Sequence, residues 1–334
     1  MADVNGLVEL DDAYLPFELG KEDAILAYKD FKHGKIFAPR IFRNKQHYEQ
    51  MTKVYLPLWL FEGEASFSTR YDGRKVRKYT EQAGEGEQEI TETEIFDVKR
   101  EGTVTIDGVL IPATSTVPEV NFVRMMPFDL ESAVFEAPSN DKVLPADRAL
   151  EVARAEAEEK MTELAADHVA GTVKGFNESS EKETSITSKV TSARKVYVPV
   201  WMLDTDWKGK NYQFTMNGRS GKVAAEFPVA LSSVIASLVA LFVLTFVLVT
   251  YSDATSWHIV GLPAKIIMYL VLPSFVAGTL TFSYYNQIAM VNKPKPPTPN
   301  KPGFVLELTS SSDEVVDVQT ESRKKRGHLG GGMF

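Results

Sequence analysis

The chain's apolar and polar positions repeat one distinctive pattern. Lys53-Val-Tyr-Leu-Pro-Leu-Trp-Leu-Phe-Glu-Gly-Glu returns 142 residues later as Lys195-Val-Tyr-Val-Pro-Val-Trp-Met-Leu-Asp-Thr-Asp. Side chains alternate across a strand, so the second copy sets Val196, Val198 and Val200 on one face and Tyr197, Trp201 and Leu203 on the other. Apolar residues on both faces predict a strand covered on both sides. Pro57 and Pro199 lack a ladder donor, which predicts an edge, a bulge or a strand start. After each copy comes an aromatic stretch and a turn dipeptide, Asp72-Gly73 and Asn217-Gly218, the pattern of a hairpin. Pairing the two copies about a pseudo-two-fold axis is the economical arrangement, giving one β-rich domain. Glu94–Arg100 and Thr103–Ile111 read as further strands, preceded by an acidic, Gly-rich loop from Glu81 to Glu89. Helical spacing predicts Lys21–Lys32, with Ala24, Tyr28 and Phe31 on one side. It also predicts Ala146–Val169, with Leu150, Ala153, Ala157, Met161, Leu164 and His168.

Two longer runs are apolar throughout. No charge falls between Phe227 and Ser252, nor between Ile266 and Asn292. At about 1.5 Å per residue each is long enough to cross a hydrocarbon core of roughly 30 Å, and Pro273 and Gly278 are tolerated there. Lys208, Lys210, Arg219 and Lys222 precede the first run, and Lys293, Lys295 and Lys301 follow the second. The connecting loop holds only Asp253 and Lys265, so both ends are expected on the cytoplasmic side. Tyr251, Trp257, Tyr284 and Tyr285 suit interfacial belts, and acidic Met1–Asp12 lacks the apolar core of a signal peptide. Gly278 and the Ser and Thr residues of the runs suit helix packing, which allows homo-oligomerisation there.

The expected fold class is therefore α+β: a β-rich cytosolic domain with two copies of a Tyr-x-Pro-x-Trp strand motif and two helices, then a two-helix transmembrane hairpin. Its divisions are residues 1–140 with copy one and 141–226 with the long helix and copy two. The hairpin occupies 227–290, and a Pro/Lys-rich flexible cytoplasmic tail occupies 291–334, within which Phe304-Val-Leu-Glu-Leu and Val315-Val-Asp-Val alternate with acids and could add a strand to a sheet.

Charge sharpens this division. The 334 residues carry a net charge of −8. The tail's seven basic and five acidic residues leave +2 there and −10 on residues 1–226. An acidic domain opposes phosphate-backbone binding, so no nucleic-acid partner is expected. The absence of cysteine excludes disulfides, thiolate chemistry and cysteine-ligated metals. His33, His47, His168, His258 and His328 are too scattered to suggest a metal cage.

Candidate chemistry is sparse. Glu62 with Glu64, and Asp204 with Asp206, are acid pairs at equivalent positions, each at i and i+2 on one strand face. Such a pair can bind Mg²⁺ or Ca²⁺ or divide acid and base roles, but the favoured reading is the solvated end of a strand leaving the core. Gly218-Arg-Ser-Gly-Lys-Val shares part of a phosphate-loop pattern, but the first Gly is misplaced and no Ser or Thr follows Lys222, so a turn is expected. No nucleophile–His–acid grouping stands out, so no enzymatic activity and no cofactor are expected.

The two Tyr-x-Pro-x-Trp segments, Asn217-Gly-Arg-Ser-Gly-Lys-Val, Leu15-Pro-Phe-Glu-Leu, Pro39-Arg-Ile-Phe and Met126-Pro-Phe-Asp together resemble the bacterial TFIIB-type zinc-ribbon-containing two-span membrane proteins. The resemblance covers roughly residues 15 to 290. The cysteine-rich ribbon that normally precedes Leu15-Pro-Phe is missing, and the family's Gly-Asp before Leu-Pro stands here as Ala225-Glu226-Phe-Pro. The resemblance implies a multi-pass protein of the inner membrane, encoded in some bacteria with SPFH-domain and phage-shock-type proteins and recruiting them in envelope stress. The expected function is thus a membrane scaffold or docking domain, with Tyr55, Pro57, Trp59, Tyr197, Pro199 and Trp201 as its docking or structural motif. The alternative is a membrane-tethered enzyme or divalent-ion-binding domain using the paired carboxylates.

Overall fold

The computed structural model describes residues 3–4, 7–33, 35, 37–83, 86–137, 141–256, 267–291, 300 and 302–324. Strand outweighs helix, 47% against 33%, and the strands form one mostly antiparallel sheet. In chain order the elements are β1 (Asp3–Val4), β2 (Leu7–Tyr14), α1 (Lys21–Lys32), α2 (Arg40–Arg43), α3 (Lys45–Tyr48), β3 (Thr52–Ala83), β4 (Gly86–Pro112) and α4 (Glu119–Met125). They continue with β5 (Lys142–Val143), α5 (Leu150–Ala170), β6 (Glu178–Trp207), β7 (Lys210–Asn217), β8 (Val223–Ala225), α6 (Leu231–Ser256), α7 (Leu272–Val291) and β9 (Gly303–Lys324). The main strand order is β1-β2-β6-β3-β4-β9; β5 pairs with β3, and β7 joins β6 to β8.

The two motif segments lie against each other at the centre. Leu56 stands opposite Val198, its equivalent in the other copy, so each Tyr faces the other copy's Pro and each Trp the other's Lys. Both flanks repeat this relation. The Leu15 N–H donates to the Tyr197 carbonyl and the Leu144 N–H to the Tyr55 carbonyl, both at 2.9 Å, from the parallel strands β2 and β5.

The prolines sit inside central strands, not at an edge, bulge or strand start. The Pro57 carbonyl accepts from Ala113 N at 3.0 Å and the Pro199 carbonyl from Gly218 N at 2.8 Å. In a strand the N–H and C=O of one residue point to the same side, so each missing donor faces the flank and not the partner copy. On that flank Pro57 falls between the end of β5 and the start of pairing with β4 at Leu58. Pro199 falls between the β2 pairing that ends at Tyr197 and the β7 pairing that begins at Val200. Each proline thus occupies a seam where one neighbouring strand gives way to another and no ladder donor is required.

Helices cover one sheet face at both ends of this pairing. Helix α5 buries Ala153, Ala157, Met161, Ala165 and Val169 completely, a stripe spaced every four residues, against Trp59, Phe61 and Val190. Its small side chains let it approach closely. A β-carbon at Gly63 would lie 2.7 Å from Met161 Sδ. The helix starts at Leu150, later than the expected Ala146. Helix α1 matches its expected span and sets Ala24 and Tyr28 against Trp201, Leu203 and Phe214. The opposite face, Leu56, Leu58, Val196 and Val198, is covered by Phe122, Met125, Phe128 and Leu144. Fully burying each large apolar side chain contributes about 1.5–3 kcal/mol.

Three local expectations change. Asp72-Gly73 is not a turn: both residues lie mid-strand, opposite Asp97 and Phe96. A β-carbon on Gly73 would lie 2.7 to 3.0 Å from the Phe176 ring, so this glycine makes room for packing. Asn217-Gly218 does turn, with Asn217 Oδ1 accepting from the backbone N–H groups of Arg219 and Ser220. The expected pair of strands from Glu94 to Ile111 is one continuous strand, β4. Glu81–Ala83 and Gly86–Glu89 of the expected acidic loop belong to β3 and β4.

The expected α+β layout ending in a two-helix transmembrane hairpin does not hold. Among the described residues one helix is long and apolar enough to cross a membrane, with a window at Leu231–Leu248 of mean hydropathy 2.6. None of that window is buried in the protein, unlike the core helix of a soluble domain. The second run divides instead. Ile267–Val271 forms a π-helical turn, and the later half of α7 carries the polar stretch Ser283, Tyr284, Tyr285, Asn286 and Gln287. The two segments touch through Thr245 Oγ1, 3.4 Å from the Pro273 carbonyl oxygen, and through the Phe246 and Tyr269 rings. Gly278 faces open space. Trp257 and Lys265 lie outside the described residues, as do Lys293, Lys295, Lys301 and His328 to Phe334.

Candidate docking surface

The structure makes the Tyr-x-Pro-x-Trp residues part of the interior. Tyr55, Pro57, Trp59, Pro199 and Trp201 are buried and Tyr197 is half-buried. Tyr14 stacks on Tyr197 with ring centroids 4.6 Å apart, and Phe17 meets Tyr55 and Trp201 edge-on. The Tyr197 hydroxyl donates to Asp12 Oδ2 at 3.2 Å. Burial first, then the Asp12 charge, pushes its pKa up to about 12. Trp201 Nε1 donates to the Leu19 carbonyl at 3.0 Å, whereas the equivalent Trp59 Nε1 is buried without a hydrogen-bond partner among the described residues. The motif's place is structural: it joins the two halves of the sheet and leaves a partner little to touch.

The acid pairs are not brought together. Glu62 stands opposite Ser192, twelve positions along β6 from Asp204. Ser192 Oγ donates to Glu62 Oε2 at 2.6 Å, and Glu64 is exposed. Asp204 accepts from Gln213 Nε2 and Asp206 from Asn211 Nδ2, each at 3.0 Å. Asp107, opposite Glu62, has its carboxyl pushed up by burial and by the Glu62 charge. No group of three or more acidic or histidine side chains suited to a metal ion occurs among the described residues. Arg219 and Lys222, two of the basic residues preceding the apolar run, are tied into the domain. Arg219 binds Glu18 and Asp129, and Lys222 Nζ donates to the Met126 carbonyl.

What the fold does present is a long blade. Strand β3 has 32 residues, about 105 Å at ~3.3 Å per residue. Beyond Arg74, where pairing with β6 stops, the blade consists of β3, β4 and β9. Opposite charges align across it: Lys75 faces Glu94, Arg77 faces Glu92, and Arg77 Nη2 lies 3.8 Å from Glu94 Oε2. Exposed pairs of this kind stabilise little but penalise a slipped register.

Strand β9 closes the sheet at its outer edge and pairs with β4 from Gln88 opposite Lys324 to Asp107 opposite Gly303. Arg100, itself buried, reaches across to Asp313 Oδ1 at 2.6 Å and to the Ser312 carbonyl, pinning β9 midway. Among the described residues no strand lies beyond the outer edge of β9, which leaves a row of its backbone N–H and C=O groups without ladder partners there. Val305 and Leu308, three residues apart and so on opposite faces, are 59% and 45% exposed, and Val315 and Val316, at a bulge in the pairing with β4, are 51% and 60% exposed. Long exposed edges invite pairing with another chain; here Glu307, Asp313, Glu314, Asp317 and Glu321 act against indiscriminate pairing. Sequence alternation marked Phe304–Leu308 and Val315–Val318 as strand-forming, but not where they would pair; over Gly303–Lys324 the expected flexible tail is instead a strand held by its ladder to β4.

Lys35 is a further buried group that the sequence did not mark. It is 2% exposed, its Nζ lacks a hydrogen-bond partner among the described residues, and it sits over the Phe31 ring. Burial pulls its pKa down to about 7.

No protein-family model matches the chain, and no solved structure does. Among curated proteins it is similar to the uncharacterized protein YdjG of Bacillus subtilis (strain 168), 25% identical over 230 residues. The match takes in 66% of this chain and spans 65% of the length of the Bacillus protein.

Proposed function

We propose that this chain is a membrane-anchored docking protein that displays the outer edge of β9 to a protein partner on the cytoplasmic side. The observation that carries this reading is an edge of 22 residues, unpaired among the described residues and with apolar side chains exposed on both faces, the geometry on which a partner adds a strand. Helix α6 is the anchor. Because β9 lies along β4, Gly303–Lys324 stays with the domain that the chain leaves at Leu231, on one side of the anchor. Lys208, Lys210 and the lysines after Val291 favour the cytoplasm for that side. By family resemblance the partner is an SPFH-domain or phage-shock-type protein at the inner membrane.

The absence of cysteine makes the test clean. A photo-crosslinking residue at Val316 is expected to capture a specific protein in cells, and the same residue at exposed Glu159 on α5 is not. Single cysteines introduced at Glu321 and at Glu151 should both resist an impermeant maleimide in intact cells and react in opened vesicles. The reading fails if Val316 yields no adduct across several growth and stress conditions, or if either cysteine labels from outside.

A further inference from the structure

A cleft of about 570 Å³ lies between α4 and α5, bordered by the first residues of β9, and nothing in the docking function uses it. Its size falls within the ~300–1,000 Å³ of small-molecule sites. Val109, Leu110, Val123, Met126, Leu164 and Phe304 give it apolar walls. Glu119, Glu163, Asp167 and Lys160 provide its charges, three carboxylates against one ammonium. That ammonium is already committed, with Lys160 Nζ 2.9 Å from Glu156 and 3.5 Å from Glu119. Glu163 and Asp167 are one helical turn apart on the same face of α5, and their carboxylates have no ion pair or hydrogen bond among the described residues. The cleft therefore offers apolar surface to a ligand body and two uncommitted negative charges to its head.

We infer that this cleft binds a small amphipathic cation, an ammonium or guanidinium group on an apolar body of roughly the size of one aromatic ring and a short alkyl chain. An anion of the same shape meets the carboxylates and is rejected; a neutral analogue gains the apolar contacts alone. The occupant also touches the arm that returns from the apolar segment. Asn300 borders the cleft and is tied to the domain by two 2.7 Å hydrogen bonds, accepting from the Phe128 N–H and donating to the Phe128 carbonyl. Phe304 heads β9 and stacks on His168 with centroids 4.8 Å apart.

The test uses the full chain in lipid nanodiscs with its methionine methyl groups labelled for NMR, the Met126 signal being identified by its loss in Met126→Leu. Phenethylammonium, 3-phenylpropanoate and 2-phenylethanol are titrated separately. The cation should move the Met126 signal saturably, at a concentration at least tenfold below that needed for the alcohol, with the carboxylate weakest. In the Glu163→Gln/Asp167→Asn double variant, which alters exposed residues only, the cation's advantage over the alcohol should vanish. The inference is overturned if cation and alcohol bind alike in the unaltered chain, if the double variant keeps the tenfold preference, or if Met126 does not respond to the cation.

Discussion

Placing alanine at Gly73 separates two explanations of that glycine. If Asp72-Gly73 were a turn, the residue would be needed for its backbone freedom, and alanine would cost the same whatever surrounded it. In the structure Gly73 lies in extended β3, and the atoms nearest an added β-carbon are all from one ring, Phe176 at 2.7, 2.8 and 3.0 Å. Carbon pairs prefer about 3.5–4.0 Å, so the ring must retreat by roughly 0.7 Å. It has little room, being packed edge-on to Phe96 with Lys75 over its face. Overpacking of this kind costs about 1–3 kcal/mol, offset by the ~0.5–1 kcal/mol that alanine gains over glycine within a strand. Gly73→Ala alone should therefore destabilise by about 1 kcal/mol. In a Phe176→Ala background the obstruction is gone, and the same change should stabilise by about 0.5 kcal/mol. A double-mutant cycle by pulse proteolysis of the nanodisc-embedded protein reads the difference as a coupling of about 1.5 kcal/mol. Equal costs in the two backgrounds would refute the packing account and restore a backbone requirement.

The two motif tryptophans should respond differently to loss of the indole N–H. Trp201→Phe removes a hydrogen bond to the Leu19 carbonyl and should cost about 1–2 kcal/mol more than Trp59→Phe, whose N–H has no partner to lose; unfolding midpoints of the two variants check this. Asp97 is held by a two-pronged Arg70 contact at 2.6 Å, and that hydrogen bond keeps its carboxyl below the ordinary range. A depressed folded-state pKa stabilises above the unfolded value of about 4 and stops doing so as pH falls through the folded value. The stability gap between the unaltered chain and Asp97→Asn should thus narrow in acid below about pH 4, and a gap unchanged down to pH 3 would contradict the assignment.

Part of this architecture was legible because local chemistry dictates it. The alternation in Lys53–Glu64 and Lys195–Asp206 required strands covered on both faces, and the spacing of Ala24, Tyr28 and Phe31 required α1 with its buried side toward the sheet. The charge-free window from Leu231 to Leu248 is apolar over enough residues to form a spanning helix with no help from its neighbours. Other features were misread where a residue's role depends on what lies across from it. Gly73 looks like a turn until Phe176 packs over it, and Pro57 and Pro199 look like edge markers until the strands flanking them are seen to change at those positions. The motif's aromatic residues left docking and structural roles open, and only the fold shows α5 packed on Trp59 and α1 on Trp201.

The candidate surface itself was the least legible part, because strand pairing joins residues 196 to 236 positions apart, from Asp107 opposite Gly303 to Gln88 opposite Lys324. Alternation in Phe304–Leu308 states that a strand can form; it carries nothing about β4 being its partner, about Arg100 reaching Asp313, or about which edge stays open. The cleft between α4 and α5 is of the same kind, its walls drawn from β4, two helices and the returning arm. The sequence by itself determined periodicity, burial of the central strands, the apolar helix and the division of charge, since these follow from each residue's own preference for water, lipid or an extended backbone. Tertiary structure alone decided register, which glycines and prolines are structural, and where unpaired backbone and uncommitted carboxylates remain, since those depend on distances between groups that chain order does not fix.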